Sequence, residues 1–224
     1  MDFTEIKNAL IEKEFGNMND RQFEAVTTVE GPLLVLAGAG SGKTTVLVNR
    51  IAYLCKYGNA YRSDAEPRFT AEQAKAALAY INGETDAPDY GVFAAAAQNP
   101  PKPYMILAIT FTNKAAGELK ERIEKKLGGE TDIWAGTFHR ICGRILRAHG
   151  DRIGYSSHFT VYDTDDQKRL MKDIIKSSGT DEKLFTPKSV LSRISSAKDS
   201  LITPAEMTKD SGSDFRLKTV AALY

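Results

Sequence analysis

The residues with the clearest chemical signature form the segment AGAGSGKTT, from Ala37 to Thr45. It follows a short apolar run, residues 33–37, and precedes an amphipathic segment. A polyphosphate needs several backbone N–H donors that converge on it, and the glycines at 38, 40 and 42 allow the backbone to curl around such a ligand. The spacing therefore predicts a phosphate-binding loop between a strand and a helix.

Two side chains of this segment add charge and metal chemistry. Lys43 offers a positive charge to the terminal phosphates of a nucleotide, and the hydroxyl of Thr44 can ligate Mg²⁺. The helix that begins at Lys43 directs its first N–H groups towards the phosphates. The strict motif has Gly at the position of Ala37, so this chain departs from it there. A glycine-rich turn without a ligand is the alternative.

Gln22 lies upstream of the loop, and its amide offers one donor and one acceptor, which match the N6/N7 edge of adenine. Taken alone, such a glutamine is a solvated helix residue. The residues predicted to contact the nucleotide are Gln22, Ala37, Gly38, Ala39, Gly40, Ser41, Gly42, Lys43, Thr44 and Thr45.

Polar and aromatic residues follow two further apolar runs. The segment ILAITFTNKAAGELKERI spans 106–123, and GTFHRICGRILRAHG spans 136–150. Ligands of open α/β sheets bind at the carboxyl ends of the strands, which is where both groups would lie. A capped helix with a core phenylalanine is the alternative for the first segment.

Three arginines, Arg140, Arg144 and Arg147, fall at i, i+4 and i+7 on one helical face, a pattern that can track phosphates or can be a solvated face. Asp163 and its acidic neighbours resemble a metal site at a strand end, but a helix N-cap explains them more simply. The three histidines show no metal spacing.

These residues require a scaffold of strands and helices. Apolar runs at 33–37, 105–109 and 133–135 are each followed by an amphipathic segment, which predicts an α/β fold with a parallel sheet flanked by helices over residues 1–154. Residues 57–104 are predicted to be an insertion, partly disordered, with one helix capped by Thr70 and Gln73.

Residues 155–224 are predicted to form a mostly helical second domain. A short strand at 159–162 precedes helix starts near Asp163, at Thr186-Pro187 and at Thr203. The amphipathic pattern continues to Tyr224, and we therefore expect the chain to be a fragment.

Composition excludes several classes of protein. Lys and Arg number 30 against 29 Asp and Glu, a net charge of +1, and 42% of the residues are hydrophobic. These values exclude a disordered tail and a histone-like polycation. The sequence shows neither an apolar run of about 20 residues nor a secretion signal. With two distant cysteines that we expect to be reduced, the predicted location is the cytoplasm.

Together these segments resemble the N-terminal part of superfamily 1 DNA helicases of the UvrD/Rep/PcrA type. MNDRQFEAV is similar to the adenine-reading Q motif, and LVLAGAGSGKTTVLVNRIAYL to the nucleotide loop. ILAITFTNKAAGELKERI resembles motif Ia, and GTFHRICGRILR resembles motif Ib. The resemblance covers the chain outside 57–104.

The resemblance implies a RecA-like P-loop NTPase domain, called 1A, and a truncated helical subdomain, 1B, over 155–224. It implies an ATP-dependent helicase of 3′→5′ polarity that uses ATP and Mg²⁺ and moves along single-stranded DNA and 3′-tailed duplex DNA, with a role in DNA repair. Lys43 and Thr44 would act in catalysis, and Thr44 would hold Mg²⁺. The residues implied to line the DNA path are Thr110, Phe111, Thr112, Asn113, Thr137, Phe138, His139 and Arg140.

Some positions depart from the family pattern. Thr45 stands where many relatives have an arginine, and Arg140 replaces a common serine. Because the acidic motif II and the second RecA-like domain are not in the sequence, we expect these 224 residues alone not to turn over ATP. Three alternatives remain open: a helicase subunit of a recombination helicase-nuclease, a P-loop small-molecule kinase, and a noncatalytic nucleic-acid-binding module.

Overall fold

A computed structural model describes residues 1–224, apart from the side chain of Tyr90. Short 3-10 turns at Pro103–Met105 and Gly150–Ile153 accompany the main elements. In chain order, the helices and strands of the described residues are α1 Phe3–Phe15, α2 Asp20–Thr27, α3 Lys43–Tyr57, α4 Ala71–Ile81, α5 Tyr90–Ala96, β1 Leu107–Thr110, α6 Asn113–Leu127, β2 Trp134–Thr137, α7 Phe138–His149, α8 Thr164–Ser177, α9 Pro187–Asp199, α10 Pro204–Asp210 and α11 Phe215–Leu223.

Most helices begin at a side-chain cap that the sequence encodes locally. The predicted capping box of Thr70 and Gln73 starts α4, and the Thr203 hydroxyl accepts from the Glu206 amide at the start of α10. Helix α1 was not predicted, although Asp2 and Glu5 form a capping box at its start. In each box the side chain satisfies an N–H group that the first helical turn leaves without a partner.

The sheet consists of the parallel pair β1 and β2, joined by α6. Their register places Leu107 beside Trp134 and Thr110 beside Thr137. The two strands therefore end side by side, and the residues that follow each strand emerge at the same edge. The predicted strand–helix alternation is confirmed for β1–α6–β2–α7.

The predicted strand at 33–37 differs from the structure. Residues 32–38 have no helix or strand structure and lie outside the sheet, and Leu34 and Leu36 are 81% and 86% exposed. A buried strand needs a hydrogen-bonded neighbour and helices over its faces, and the apolar pattern of a segment cannot supply them. Residues 159–162, also predicted as a strand, have no strand structure.

The chain divides into two compact units, Met1–Ser157 and His158–Tyr224. In the first, one apolar cluster joins α3, α6 and the sheet through Ile51, Ala108, Ile123 and their neighbours. In the second, Ile175 of α8, Val190 of α9 and Val220 of α11 are completely or almost completely buried in a separate helical core.

The predicted starts of α8, α9 and α10 are confirmed, whereas α11, capped by Asp214, was not predicted. Asp163 caps α8, and hydrogen bonds from the Asp166 and Asp165 amides hold the pKa of its carboxyl below the ordinary value. Thr186 caps α9 with Pro187 in the first turn. The acidic group at 163–166 therefore belongs to a helix N terminus, as the simpler interpretation of the sequence stated.

Residues 57–104, predicted to be a partly disordered insertion, contain α4 and α5 and contribute side chains to an apolar core. Phe69, Ala77, Val92 and Phe93 are buried in the core that also contains α1 and the aromatic residues of α3. Helix α4 packs on α1, and α5 packs on α3. The segment is rich in alanine, whose small side chain allows helices to pack closely. Its few aromatic residues contribute large buried apolar side chains to this core.

Lys7 of α1 attaches the start of this segment to the first unit. It is 1% exposed, and its Nζ donates to Ser63 O, Ser63 Oγ and Ala65 O, each at 3.0 Å. All three N–H groups therefore have an acceptor. Burial is the main influence on the pKa of Lys7 and lowers it, while Asp64 has the opposite, smaller effect.

Candidate functional site

The predicted phosphate-binding loop adopts an open turn in front of α3. Gly40 and Gly42 have φ angles of 75° and 84°, in the region that favours glycine. A Cβ atom added to Gly38 or Gly40 would meet no atom within 4 Å, so the space beside them is free of the chain's own atoms. Helix α3 starts at Gly42 without a side-chain cap, which leaves its first N–H groups available to an anion.

The side chain of Lys43 folds back over the loop. Its Nζ donates to Gly38 O at 2.6 Å and to Ala37 O at 3.2 Å, and Ser41 Oγ also donates to Gly38 O, at 2.8 Å. Lys43, Thr44 and Thr45 are all exposed. The ammonium group thus lies at the mouth of the turn, where a phosphate could replace the two carbonyl oxygens as its partner.

Gln22 contacts the same loop. Its Nε2 donates to Ser41 O at 3.1 Å, while its Oε1 accepts from the Asn19 amide at 3.2 Å in the capping box of α2. Both polar ends of the amide therefore have partners. The structure brings the predicted adenine-reading residue to the phosphate loop, and adenine recognition would require this amide to exchange partners.

Arg50 holds α2 against α3, a role that the sequence pattern did not reveal. Its Nη1 donates to Ala25 O at 2.7 Å and to Thr28 O, both at the end of α2. Burial lowers the pKa of Arg50 from its ordinary value. By satisfying two carbonyls at the helix end, Arg50 sets the position of the helix that carries Gln22. A basic residue on a helix face gives no local signal for such a contact.

The residues after β1 and β2 form a second exposed surface. Because Thr110 and Thr137 are paired, Phe111 and Phe138 follow at the same edge, and their ring centroids lie 6.0 Å apart at an interplanar angle of 48°. Phe111 is 93% exposed and Phe138 is 51% exposed. Two aromatic faces open to solvent are suited to stacking on unpaired bases.

The threonine hydroxyls beside these rings serve local structure. Thr112 Oγ1 accepts from the Ala115 amide and caps α6, and Thr137 Oγ1 accepts from the Arg140 amide and caps α7. Thr110 Oγ1 donates to Thr112 O at 3.0 Å. Since Thr137 is buried, its part at this edge is to position the start of α7. Asn113, His139 and Arg140, also predicted, are exposed at the two helix starts.

Helix α7 carries the predicted arginine face. Arg140, Arg144 and Arg147 are exposed, whereas Ile141 is buried against the sheet. The Arg144 guanidinium lies over the Trp134 ring, 4.0 Å from its centroid, a cation–π contact that the sequence analysis missed. Arg140 thus lies in the first turn after Phe138, near the aromatic edge, whereas Arg144 contacts the start of β2, at the other end of that strand.

One apolar core connects the loop to this edge. Val48 and Ile51 of α3 pack with Leu119 and Ile123 of α6. Helix α3 begins at Lys43, and α6 begins directly after Phe111 and Thr112. A displacement of α3 would therefore also displace α6, because closely packed interiors transmit strain.

A comparison with protein families matches residues 18–65 and 91–224 to the UvrD/REP helicase N-terminal domain. The chain belongs to the UvrD/REP helicase family. Relatives include the ATP-dependent DNA helicase PcrA of Staphylococcus epidermidis (strain ATCC 35984), which is 42% identical over 218 residues. PcrA of Staphylococcus aureus (strain Mu50) is 41% identical over 218 residues.

These alignments cover 97% of the chain but 24% of each PcrA sequence, so the chain spans about a quarter of the length of these relatives. The family match leaves out residues 66–90, which contain α4 and lie within the predicted insertion at 57–104. Residues 1–17, which contain α1, also lie outside the match, so both helices of the packed pair α1 and α4 are outside the family pattern.

Within the described residues, no group of three or more His, Cys, Asp or Glu side chains is placed to hold a metal ion. Among the helices that the structure describes, none combines the length and apolar character needed to cross a membrane.

Proposed function

We propose that the chain is the N-terminal, ATP-binding part of an ATP-dependent 3′→5′ DNA helicase that moves along single-stranded DNA. The observation that carries the proposal is the open loop before α3: in a chain of the UvrD/REP family, Gly40 and Gly42 turn the backbone in front of an uncapped helix N terminus. Such a turn suits a polyphosphate. The aromatic pair at the end of the strands supports the DNA part of the proposal.

The proposed fold is a RecA-like domain 1A over 1–154, with the helical subdomain 1B over 155–224. The parallel pair β1 and β2 with its following helices supports a RecA-like sheet. Residues 33–37 would enter that sheet beside strands from parts of the whole protein outside these 224 residues. The compact units divide at Ser157, close to the proposed boundary.

ATP fits the residues that the chain provides. The proposed contacts are those of the loop from Ala37 to Thr45, with Lys43 on the terminal phosphates and Gln22 on the adenine. The exposed Thr44 hydroxyl would supply one oxygen ligand to Mg²⁺, a cation that keeps several waters and also binds substrate phosphates. When bound, Mg·ATP supplies the phosphoanhydride bond whose hydrolysis drives movement along the DNA.

On the DNA side, the chain's own residues would bind and orient the strand. Phe111 and Phe138 would stack on bases without regard to sequence, which a translocating enzyme requires. Asn113, His139 and Arg140 would contact the sugar–phosphate backbone, while Thr110, Thr112 and Thr137 would hold the strand ends in place. The proposed substrates are single-stranded DNA and 3′-tailed duplex DNA.

The two thiols support a cytoplasmic location for the proposed enzyme. Cys55 and Cys142 are both free, as expected in a reducing compartment. We expect the 224-residue polypeptide to bind ATP without hydrolysing it, because phosphoryl transfer depends on groups on both sides of the nucleotide.

Thermal unfolding with Mg·ATP tests the nucleotide site. Ligand at one hundred times its Kd adds about 2.7 kcal/mol to the free energy of unfolding, which corresponds to a rise in Tm of roughly 5–10 °C for a chain of this size. Lys43→Ala should abolish the rise and leave the Tm without nucleotide almost unchanged, since the side chain is exposed.

The matched control is Lys75→Ala, which removes an exposed lysine of α4 and should keep the response to Mg·ATP. A wild-type chain whose Tm does not move at millimolar Mg·ATP would contradict the proposed site. A response that survives in Lys43→Ala would show that nucleotide binds somewhere else.

A further inference from the structure

A groove lies between the end of α1, one face of α2 and residues 61–62, which follow α3. Its volume is about 710 Å³, within the range of ligand-binding clefts. The α2 residues that line it recur at the three- and four-residue spacing of one helical face: Asp20, Phe23, Glu24 and Thr27. Gln22 lies on the other side of α2 and donates to Ser41 O in the phosphate loop. The groove is therefore separate from the proposed nucleotide site.

Partly buried apolar side chains form the floor of this groove. They are Met18, Phe23 and Tyr61, the aromatic floor. The rings of Phe23 and Tyr61 meet edge to face, with 5.1 Å between their centroids and an interplanar angle of 86°. The Arg62 guanidinium lies 5.1 Å from the centroid of the Tyr61 ring. The chain thus places one of its own cations over this ring, and an aromatic face attracts positive charge.

Exposed carboxylates surround this floor: Glu12, Asp20 and Glu24, the acidic rim. Among the described residues of the lining, Arg62 is the one cation. Glu12 Oε1 accepts from Tyr61 Oη at 2.7 Å, which holds this carboxylate beside the aromatic floor and leaves its other oxygen for a second donor. Glu24 Oε2 pairs with Arg21 at 2.8 Å, but the two side chains are 62% and 90% exposed, and such pairs contribute little.

The segment that continues from the groove carries charge of the same sign. Residues 64–89 contain six acidic and two basic residues, although the whole chain has 29 acidic and 30 basic residues. Helix α4 of this segment packs on α1, the helix that supplies Glu12 to the acidic rim. A surface of one sign attracts partners of the opposite sign and raises their rate of association.

The composition of the groove determines the chemistry of its occupant. An acidic rim favours cations, and an aromatic floor favours apolar groups beside them. The wall that α1 supplies lies within residues 1–17, outside the family match. Because the shared family pattern does not include this wall, an element common to the family has no reason to fit it. A separate protein that carries basic and apolar side chains suits the groove best.

We propose that this groove is a docking site for a basic segment of a partner protein. Lysine or arginine side chains of the segment would pair with the acidic rim, and apolar side chains between them would pack on the aromatic floor. The site is an addition to the proposed nucleotide and DNA functions, since its lining includes neither the phosphate loop nor the aromatic pair at the strand ends.

The test measures the binding of a fluorescein-labelled nonapeptide, three repeats of Gly-Lys-Leu, to the 224-residue chain by fluorescence anisotropy. The double variant Glu12→Gln/Glu24→Gln should weaken binding about fivefold, the effect of two exposed ion pairs. Glutamine keeps the size of the side chain and still accepts from Tyr61, so folding should be preserved. Binding should also weaken as salt is added, because exposed charges are screened.

The matched control is Glu118→Gln/Glu121→Gln, which removes two exposed carboxylates of α6 that do not line the groove. It changes the net charge by the same amount and should leave the affinity unchanged. Two further peptides separate the contributions: repeats of Gly-Lys-Ser lack the apolar side chain and should bind more weakly, and repeats of Gly-Glu-Leu should not bind.

A zero-length carbodiimide cross-link locates the bound peptide directly, since it joins a lysine of the peptide to a carboxylate in contact with it. Mass spectrometry should find the cross-link at Glu12, Asp20 or Glu24. This measurement needs no variant, so it tests the site even if the double variant does not fold. Cross-links confined to other carboxylates would place the peptide elsewhere and overturn the proposal.

The remaining outcomes also decide the proposal. A wild type that does not bind the Gly-Lys-Leu peptide at millimolar concentration would overturn it, as would wild-type affinity in Glu12→Gln/Glu24→Gln. Equal binding of the Gly-Glu-Leu peptide would show that apolar contact alone is responsible. If spermine displaces the peptide at a lower concentration than the unlabelled peptide does, the groove takes a small polycation and the assignment to a protein partner is wrong.

Discussion

Replacement of Phe111 by alanine is the most informative test of the DNA-binding surface. Phe111 is 93% exposed, so its ring contributes almost no buried area to the folded chain. Its contact with Phe138, at 6.0 Å between centroids, is a tilted pair on the surface. The free energy of unfolding should therefore change little, and a loss of binding can be assigned to the surface.

The expected magnitude follows from base–aromatic stacking, which contributes about 1–3 kcal/mol per base. Phe111→Ala should weaken the binding of single-stranded DNA by a factor of roughly 5–150. Phe138 is 51% exposed and presents less of its face, so Phe138→Ala should have the smaller effect. Since the two rings are adjacent, the double variant should depart from the product of the single effects.

Fluorescence anisotropy with a labelled oligo-dT measures the Kd, and circular dichroism confirms folding. Phe111→Tyr keeps the ring and should bind almost as the wild type, whereas Phe111→Leu keeps apolar volume without the ring and should resemble alanine. Leu201→Ala, which truncates a side chain 87% exposed in the second unit, controls for loss of exposed apolar surface.

The reasoning is refuted if the wild type binds oligo-dT and Phe111→Ala binds it equally well. Equal losses in Phe111→Ala and Leu201→Ala would also refute it, because the effect would then reflect general apolar contact. A loss in Phe111→Ala that Phe111→Tyr restores is the expected result.

Three further predictions concern the scaffold. Arg50→Ala should lower the free energy of unfolding in urea by about 2–3 kcal/mol, because two carbonyls at the end of α2 lose their donor. The control Arg21→Ala changes a side chain that is 90% exposed and should change this free energy by less than about 0.5 kcal/mol. Phe69→Ala, outside the family match, should cost about 3 kcal/mol by the same measurement because the ring is buried against α1, and an unchanged midpoint would show that the segment does not contribute to the core. In thiol labelling at pH 8, the exposed Cys142 should react quickly and Cys55 slowly, because burial raises the pKa of Cys55 to about 11. The labelling rate of Cys55 should rise as the pH approaches that value. The free energy of unfolding should fall above about pH 9, because there the Cys55 thiol of the unfolded chain ionises before that of the folded chain.

Local hydrogen-bonding signals were sufficient to predict most helix starts. Thr70, Asp163, Thr186 and Thr203 each cap the helix expected of them, because a cap needs partners only two or three residues away. The same rule would have found α1 from Asp2 and Glu5. Helix α6 ends at Gly128 in the left-handed conformation, which favours glycine and is also a local signal.

Other features of the fold depend on contacts between parts of the chain that are distant in sequence. The apolar run at 33–37 is typical of a buried strand, yet its leucines are exposed because strand formation needs a pairing edge. The composition of 57–104 suggested partial disorder, although its few aromatic and apolar residues complete a core with α1 and α3. That partnership joins segments far apart in the chain, so composition within the segment did not reveal it.

By itself, the sequence determined the loop from Ala37 to Thr45, the caps of the helices and the residue types at the strand ends. Each of these depends on backbone conformation and hydrogen bonds within a few residues. Only the tertiary structure decided that Phe111 lies beside Phe138, that Arg50 binds the end of α2, and that Arg144 lies over the Trp134 ring. Those arrangements depend on the parallel register of β1 and β2 and on helix packing, which bring together residues whose separation along the chain carries no local signal.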